Sequence, residues 1–120
     1  MHQGIEGFDM PHPERVRQAA EALRMLSDPT RINILWALMQ GESNVACLAE
    51  LAGTSATAVS QHLSKLRLAG LVHGRREGTF VFYTLADGHI GALVTQVLGH
   101  VGHLGPADAP AVAPGPSSGR

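Results

Sequence analysis

The sequence has a single cysteine, few aromatic residues and no long apolar run. Cys47 is the only cysteine among 120 residues, which excludes an internal disulfide framework and favours a reducing, cytoplasmic compartment. A membrane-spanning helix needs roughly 18 apolar residues; we find no such run and expect no signal peptide or membrane partner. Aromatic residues make up 4% of the chain, so the core must be built from aliphatic side chains.

Acidic residues are missing from one segment. Residues 54–76 contain four cations and no Asp or Glu, whereas the other 97 residues contain five cations and ten acids. A formal charge of −1 therefore conceals a locally basic segment, which is the minimum that a nucleic-acid-binding face requires. A solvated helix face would give the same pattern.

Composition divides the chain into one domain and two tails. Residues 1–12 have little periodicity and are predicted to be a flexible tail. Residues 105–120 are almost wholly Gly, Pro, Ala and Ser, and we expect them to be disordered because they cannot bury enough surface. The folded domain is predicted over residues 13–104, a length that suits a binding domain better than a self-contained enzyme.

Capping residues and glycines predict five helices in this domain. The predicted helix starts are Pro13, Asp28-Pro29, Ser43 or Asn44, Thr54 or Ser55, and Asp87. The second helix is predicted to turn Ile32, Leu35, Trp36 and Met39 inward, and the fourth helix to turn Val59, Leu63 and Leu66 inward. Cys47, on the short third helix, is predicted to be a small core residue.

After Gly70 the apolar residues no longer recur at helical spacing, and this change of pattern predicts a β-hairpin. Residues 71–76 and 79–85 are rich in β-branched and aromatic side chains, and Glu77-Gly78 is predicted to be the turn between them. The predicted fold is mainly α (α+β), with the order α-α-α-α-β-β-α. Two short helices joined near Gly53 and followed by a hairpin form a winged helix-turn-helix.

Three stretches resemble the ArsR/SmtB family of winged-helix transcriptional repressors. They read LRMLSDPTRINIL, LAELAGTSATAVSQHLSKLRLAGLV and GRREGTFVFYTL, and the resemblance extends over about residues 16–104. The block SQHLSKLRLAGLV is the most specific part. The resemblance implies a homodimer that binds an imperfect inverted repeat in operator DNA and is released when an inducer binds.

The basic segment supports this role chemically. Short hydroxyls and an amide share one side of the fourth helix, where Gln can pair with adenine in the major groove. Cations on this helix attract phosphates, and the hairpin arginines are placed to reach phosphates or the minor groove. The predicted DNA-binding residues are Thr57, Ser60, Gln61, His62, Ser64, Lys65, Arg67, Arg75 and Arg76.

Histidines on the last helix predict a metal site shared between two chains. His100 and His103 are three residues apart and share a helix face, whereas His89 lies about 16 Å away along the axis, close to three turns earlier. Two antiparallel copies of the helix bring Asp87 and His89 of one subunit to His100 and His103 of the other, which gives two equivalent sites. The alternative is a set of surface histidines on an interface helix.

The spacing D-x-H-x10-H-x2-E/H resembles the last-helix site of the family's zinc, nickel and cobalt sensors. His at position 103 and the opening run His2-Gln3-Gly4-Ile5-Glu6-Gly7 resemble the nickel/cobalt branch, which implies Ni²⁺ or Co²⁺ and makes His2 a further ligand. Four N and O ligands would also satisfy tetrahedral Zn²⁺. The family's Cys-Val-Cys site is excluded, because the matching stretch is Asn44-Val45-Ala46.

The predicted function is a metal-responsive repressor whose release from DNA derepresses genes of metal efflux or handling. One alternative is a winged-helix regulator that ignores metal and responds to oxidation of Cys47 or to a protein partner. The other is a zinc hydrolase, since three histidines and an aspartate can activate water. No general base accompanies the histidines, so an enzyme is not expected.

Overall fold

Five helices and a two-stranded antiparallel sheet make up the described part of the chain. This computed structural model describes the backbone of residues 4–104 and the side chains of residues 4–102. The elements are α1 Pro13–Leu26, α2 Pro29–Gln40, α3 Val45–Ala52, α4 Ala56–Leu68, β1 Val72–Glu77, β2 Phe80–Leu85 and α5 Gly88–Leu104. This order confirms the predicted fold class. The predicted tail at residues 105–120 lies outside the described residues.

Side-chain caps fix where the first turns of α2, α3 and α4 begin. Asp28, Asn44 and Ser55 each accept a hydrogen bond from the backbone N–H three residues further on, at 3.0, 2.9 and 3.1 Å respectively. Such a cap satisfies one of the N–H groups that a helix start leaves unpaired and contributes about 1 kcal/mol. Of the alternatives that the sequence left open, Asn44 and Ser55 are therefore the capping residues.

The cap at Asp28 predicts a pH-dependent stability. The backbone N–H of Arg31 holds the pKa of Asp28 below its usual value, with smaller contributions from the charges of Arg31 and His62. A lowered pKa means that the carboxylate stabilises the fold above its unfolded pKa, about 3.9, and that this stability is lost as the pH falls through the folded pKa.

We expect Asp28→Asn, which keeps a neutral capping oxygen, to lower the free energy of unfolding at pH 7 by up to about 1 kcal/mol. The difference from wild type should shrink toward pH 3. Urea denaturation at a series of pH values measures it, and a difference that stays constant over that range would contradict the role of the charge.

A tight turn sets α4 at an angle to α3. Gly53 ends α3 in the left-handed region, with φ 69°, which glycine adopts without a Cβ clash. The N–H of Thr54 donates to the carbonyl of Ala49 at 3.1 Å and satisfies a carbonyl at the helix end. The chain changes direction within this turn, α4 packs against α3, and residues 55–57 at the start of α4 are exposed.

The core is aliphatic, as the shortage of aromatic residues predicts. Val59, Leu63 and Leu66 of α4 are fully buried, as predicted, and burial of each such side chain stabilises the fold by roughly 1.5–3 kcal/mol. The remaining core residues are Ile34, Leu35, Leu38, Leu48, Leu71, Val72, Ile90 and Val94. The hydrophobic stripe of α4 thus fixes which side of that helix faces the solvent.

Two residues predicted to face inward are exposed. Trp36 is 43% exposed, because the buried face of α2 is formed by Ile34, Leu35 and Leu38 and Trp36 lies on the opposite side of the helix at about 100° per residue. Cys47 is also exposed, since Leu48 takes the buried position of α3. The predictions for Trp36 and Cys47 were therefore wrong.

The hairpin turn lies one residue later than predicted. Glu77 pairs with Phe80, so the two-residue loop is Gly78-Thr79 rather than Glu77-Gly78. Gly78 has φ 65°, and a positive φ at the first loop position matches the twist of a two-residue hairpin. The linker between α2 and α3 is joined to this hairpin by an isolated bridge, in which Ser43 and Tyr83 exchange hydrogen bonds of 3.2 and 2.7 Å.

The first and last helices expose apolar surface. α1 has no buried residue in the single chain, and Val16 and Leu23 are 49% and 53% exposed. Ile90 and Val94 anchor α5 to the core, but Leu93, Val97, Leu98 and Val101 remain 37–54% exposed. No helix among residues 4–104 has the length and apolar character to cross a bilayer.

Candidate functional site

The polar side of α4 forms a continuous exposed row. Its residues are Thr57, Ser60, Gln61 and Ser64, all of them exposed. They lie opposite the buried stripe of α4, and the row begins in the first turn, next to the Ser55 cap. A helix N-terminus that presents N–H groups and hydroxyls suits phosphate, and the amide of Gln61 suits a base edge. The predicted polar face is thus solvent-facing along one side of the helix.

His62 lies between α4 and α2. Its side chain is 22% exposed, with Nδ1 3.2 Å from Arg31 Nη1 and Nε2 3.9 Å from Asp28 Oδ2. A guanidinium only donates, so in the neutral ring Nδ1 accepts and the proton is assigned to Nε2. Arg31 Nε also donates to the carbonyl of Met25 at 2.7 Å. His62 therefore links α4 to the α1–α2 junction instead of facing solvent, and it is not among the proposed phosphate contacts.

The four cations of the basic segment differ in their surroundings. Lys65 lines a shallow groove with Glu21 and Met25 of α1. Arg67 and Arg76 are exposed, and neither has an ion-pair partner among the described residues. Arg75 contacts Glu42 and Glu77. Sequence reasoning missed Glu42, because it lies 33 residues away from Arg75 and has no local signal.

Asp87 and His89 form half of the predicted metal site. Asp87 Oδ1 accepts the backbone N–H of His89 at 2.8 Å and lies 3.4 Å from His89 Nδ1. The His89 side chain is 97% exposed and that of Asp87 is 56% exposed. A carboxylate and an imidazole this close together, both open to solvent, present two donor atoms to a group outside the chain.

The other predicted ligands are not brought to this pair within one chain. His100 is exposed near the far end of α5, about 16 Å from His89 along the helix axis. The side chain of His103 and all of His2 lie outside the described residues. Among the residues that the structure describes, no three His, Cys, Asp or Glu side chains come close enough to hold one ion.

A helix-turn-helix with an exposed polar face on its second helix and a two-stranded wing beside it defines a DNA-binding protein of the winged helix-turn-helix class. The sequence model of the bacterial regulatory protein, arsR family, matches residues 28–73. With the relatives described next, this match shows that the chain belongs to the ArsR family, as its sequence motifs predict.

Two relatives come from Mycobacterium tuberculosis. The HTH-type transcriptional regulator KmtR is 45% identical over 100 residues, covering 83% of this chain and 77% of that protein. The HTH-type transcriptional repressor SmtB is 38% identical over 96 residues, covering 79% and 71%. The chain is thus similar to DNA-binding transcriptional regulators rather than to enzymes.

A similar solved structure is a homodimeric winged helix-turn-helix DNA-binding domain of a possible ArsR-family regulator from Mycobacterium bovis, determined by NMR. It superposes with a TM-score of 0.73 at 28% identity and covers 90% of this chain and 100% of that one. The likeness supports the fold class and provides a homodimeric example of it.

Proposed function

We propose that this chain is a cytoplasmic metal-responsive repressor that binds operator DNA as a homodimer and releases it when metal binds at inter-subunit sites on α5. The observation that carries the proposal is the exposed Asp87–His89 pair at one end of α5, with His100 exposed close to three turns further along. The genes it represses are proposed to encode metal efflux or handling proteins.

The exposed apolar surface of α1 and α5 supports a homodimer. An open, apolar groove lies between α1, α2 and α5, and the exposed apolar faces of α1 and α5 extend it. The groove is lined by Leu23, Leu26, Ser27, Ile32, Leu93, Val94, Val97 and Leu98. A second copy would remove this surface from water at about 25 cal/mol per Å². In an antiparallel pair of α5 helices, Asp87 and His89 of one copy would lie beside His100 and His103 at the far end of the other.

The donor atoms suit a borderline metal ion. Imidazole nitrogen and carboxylate oxygen are ligands of Ni²⁺, Co²⁺ and Zn²⁺, and the Asp87 carboxylate keeps further lone pairs after accepting the N–H of His89. The proposed ligands are Asp87, His89, His100 and His103, with His2 as an additional donor. When bound, Ni²⁺ or Co²⁺, or alternatively Zn²⁺, would cross-link the two chains.

On DNA, each subunit presents its α4 row to one half of an inverted repeat. Recognition helices of such dimers enter major grooves about 34 Å apart. Thr57, Ser60, Gln61 and Ser64 are the proposed contacts to bases and phosphates, with Lys65 and Arg67 adding charge beside the backbone. One dimer geometry brings the ligand residues together and another fits DNA. Metal binding and DNA binding are then thermodynamically linked, because each favours a different geometry.

The test is operator affinity with and without metal. A duplex selected from random sequence is titrated with the protein at matched free concentrations of Ni²⁺, Co²⁺ and Zn²⁺. We expect at least one metal to weaken binding by about 5- to 150-fold, the size of an ordinary allosteric coupling. Cys47→Ser is the control and should respond as wild type does. An affinity that metal leaves unchanged, but that peroxide lowers only when Cys47 is present, would contradict metal sensing.

A further inference from the structure

The guanidinium of Arg75 is held by other groups of the wing and its supporting linker. Nε and Nη2 donate to the two carboxylate oxygens of Glu42 at 3.1 and 2.8 Å. Nη1 donates to Glu77 at 3.2 Å, and Cζ lies 5.2 Å from the ring centroid of Phe82, its cross-strand partner. A guanidinium in this arrangement is oriented by a bidentate pair, a second carboxylate and a ring face.

Glu42 belongs to the segment that supports the wing. It lies in the short linker between α2 and α3, next to Ser43, whose backbone is bridged to Tyr83 of β2. Arg75 therefore joins this linker to the first strand of the hairpin, and the Ser43–Tyr83 bridge joins it to the second. The Arg75–Glu42 pair raises the pKa of Arg75 and lowers that of Glu42.

Arg76 has different surroundings although it is the next residue. Successive side chains of a strand point to opposite faces, so Arg76 leaves β1 on the other side from Arg75 and Glu77. It is exposed and has no ion-pair partner among the described residues. A DNA phosphate can meet this guanidinium without competing with a carboxylate, whereas at Arg75 three of the five N–H donors already bind Glu42 and Glu77.

We propose that Arg75 is a positioning residue, which fixes the wing against the α2–α3 linker through Glu42, and that Arg76 is the wing cation that contacts the DNA backbone. This inference rests on the DNA binding in the proposed function and assigns separate roles to two neighbouring arginines. An exposed ion pair is ordinarily weak, but bidentate geometry within a charge network is the setting in which it has a measurable effect.

The experiment compares Gln and Lys substitutions at the two positions by the salt dependence of operator binding, without metal. Arg76→Gln should reduce the slope of log K against log salt by about one, because one phosphate contact is lost, and Arg76→Lys should restore it. Arg75→Gln should weaken binding about fivefold with an unchanged slope. Arg75→Lys should resemble Arg75→Gln, because a lysine keeps the charge but not the fork that matches a carboxylate.

Amide hydrogen exchange at Tyr83 measures how readily the wing separates from the α2–α3 linker. Its N–H donates to the carbonyl of Ser43 at 2.7 Å, so both Arg75 variants should exchange faster there, while Arg76→Gln should exchange as wild type does. The thermal midpoint should stay near that of wild type for all four variants, because these side chains are exposed.

Opposite outcomes would overturn the proposal. One is that Arg75→Lys restores wild-type operator affinity while Arg75→Gln reduces the slope of log K against log salt. The other is that hydrogen exchange at Tyr83 is unchanged in both Arg75 variants. Because no metal is present, the slopes stay interpretable even if metal has no effect on DNA binding. Failure of metal sensing is thus separable from failure of this inference.

Discussion

Replacing Ser60 and Gln61 by alanine should abolish detectable operator binding and leave dimerisation intact. Both side chains are exposed on α4, and neither supports the core stripe of Val59, Leu63 and Leu66. A bidentate amide–adenine pair discriminates by roughly 1–3 kcal/mol in each half-site, so its loss from both subunits costs roughly 2–6 kcal/mol, a factor of about 30 to more than 10⁴ in specific binding. A mobility shift on the selected duplex measures the loss, and sedimentation equilibrium measures the dimer.

Gln40→Ala provides the matched control, because it removes an exposed amide from the end of a different helix, α2, where Nε2 donates to the carbonyl of Trp36. It should bind the duplex as wild type does. A mobility shift of the double variant equal to that of wild type would show that α4 does not read the operator, and an equal loss in Gln40→Ala would show that the effect is not local.

Removing His89 or His100 should eliminate metal binding. Calorimetric titration of wild type with Ni²⁺ is expected to give about one ion per subunit, since two-fold symmetry makes two equivalent sites, and His89→Ala and His100→Ala should each give none. Each substitution removes one donor from both sites of the dimer, and loss of a ligand at a four-coordinate site costs most of the affinity. His73→Ala, an exposed histidine on β1, should titrate as wild type does.

Mixed dimers test whether the ligands come from two chains. If His89 of one subunit joins His100 of the other, a dimer of one His89→Ala chain and one His100→Ala chain has one site without either histidine and one intact site. Unfolding and refolding the two inactive variants together should therefore restore metal binding at one site per mixed dimer. Absence of any recovery, with mixed dimers present, would contradict a site shared between subunits.

Local sequence features predicted the elements because their causes are local. A capping oxygen acts on an N–H three residues away, as at Asp28, and the stripe of Val59, Leu63 and Leu66 follows from helical periodicity. Trp36 was misplaced for a physical reason. Periodicity proposes a helix face, but the elements packed against α2 decide which of two apolar faces is buried.

The candidate site was only partly predictable, because the partners of its side chains come from distant parts of the chain. The polar row of α4 follows from the residues opposite the core. The contacts of His62 and Arg75 do not, since Arg31 and Glu42 reach them across 31 and 33 residues of sequence. A cation in a basic segment gives no local sign of whether a carboxylate already binds it.

The absence of any buried residue in α1 has a consequence for how the chain acquires its structure. A fourteen-residue helix is marginal in water unless its apolar face is packed. With a second copy as the proposed cover, the ordering of this helix and the encounter of two chains become a single equilibrium governed by mass action. The amount of protein made would then determine the fraction that is dimeric, and an inverted repeat requires the dimer.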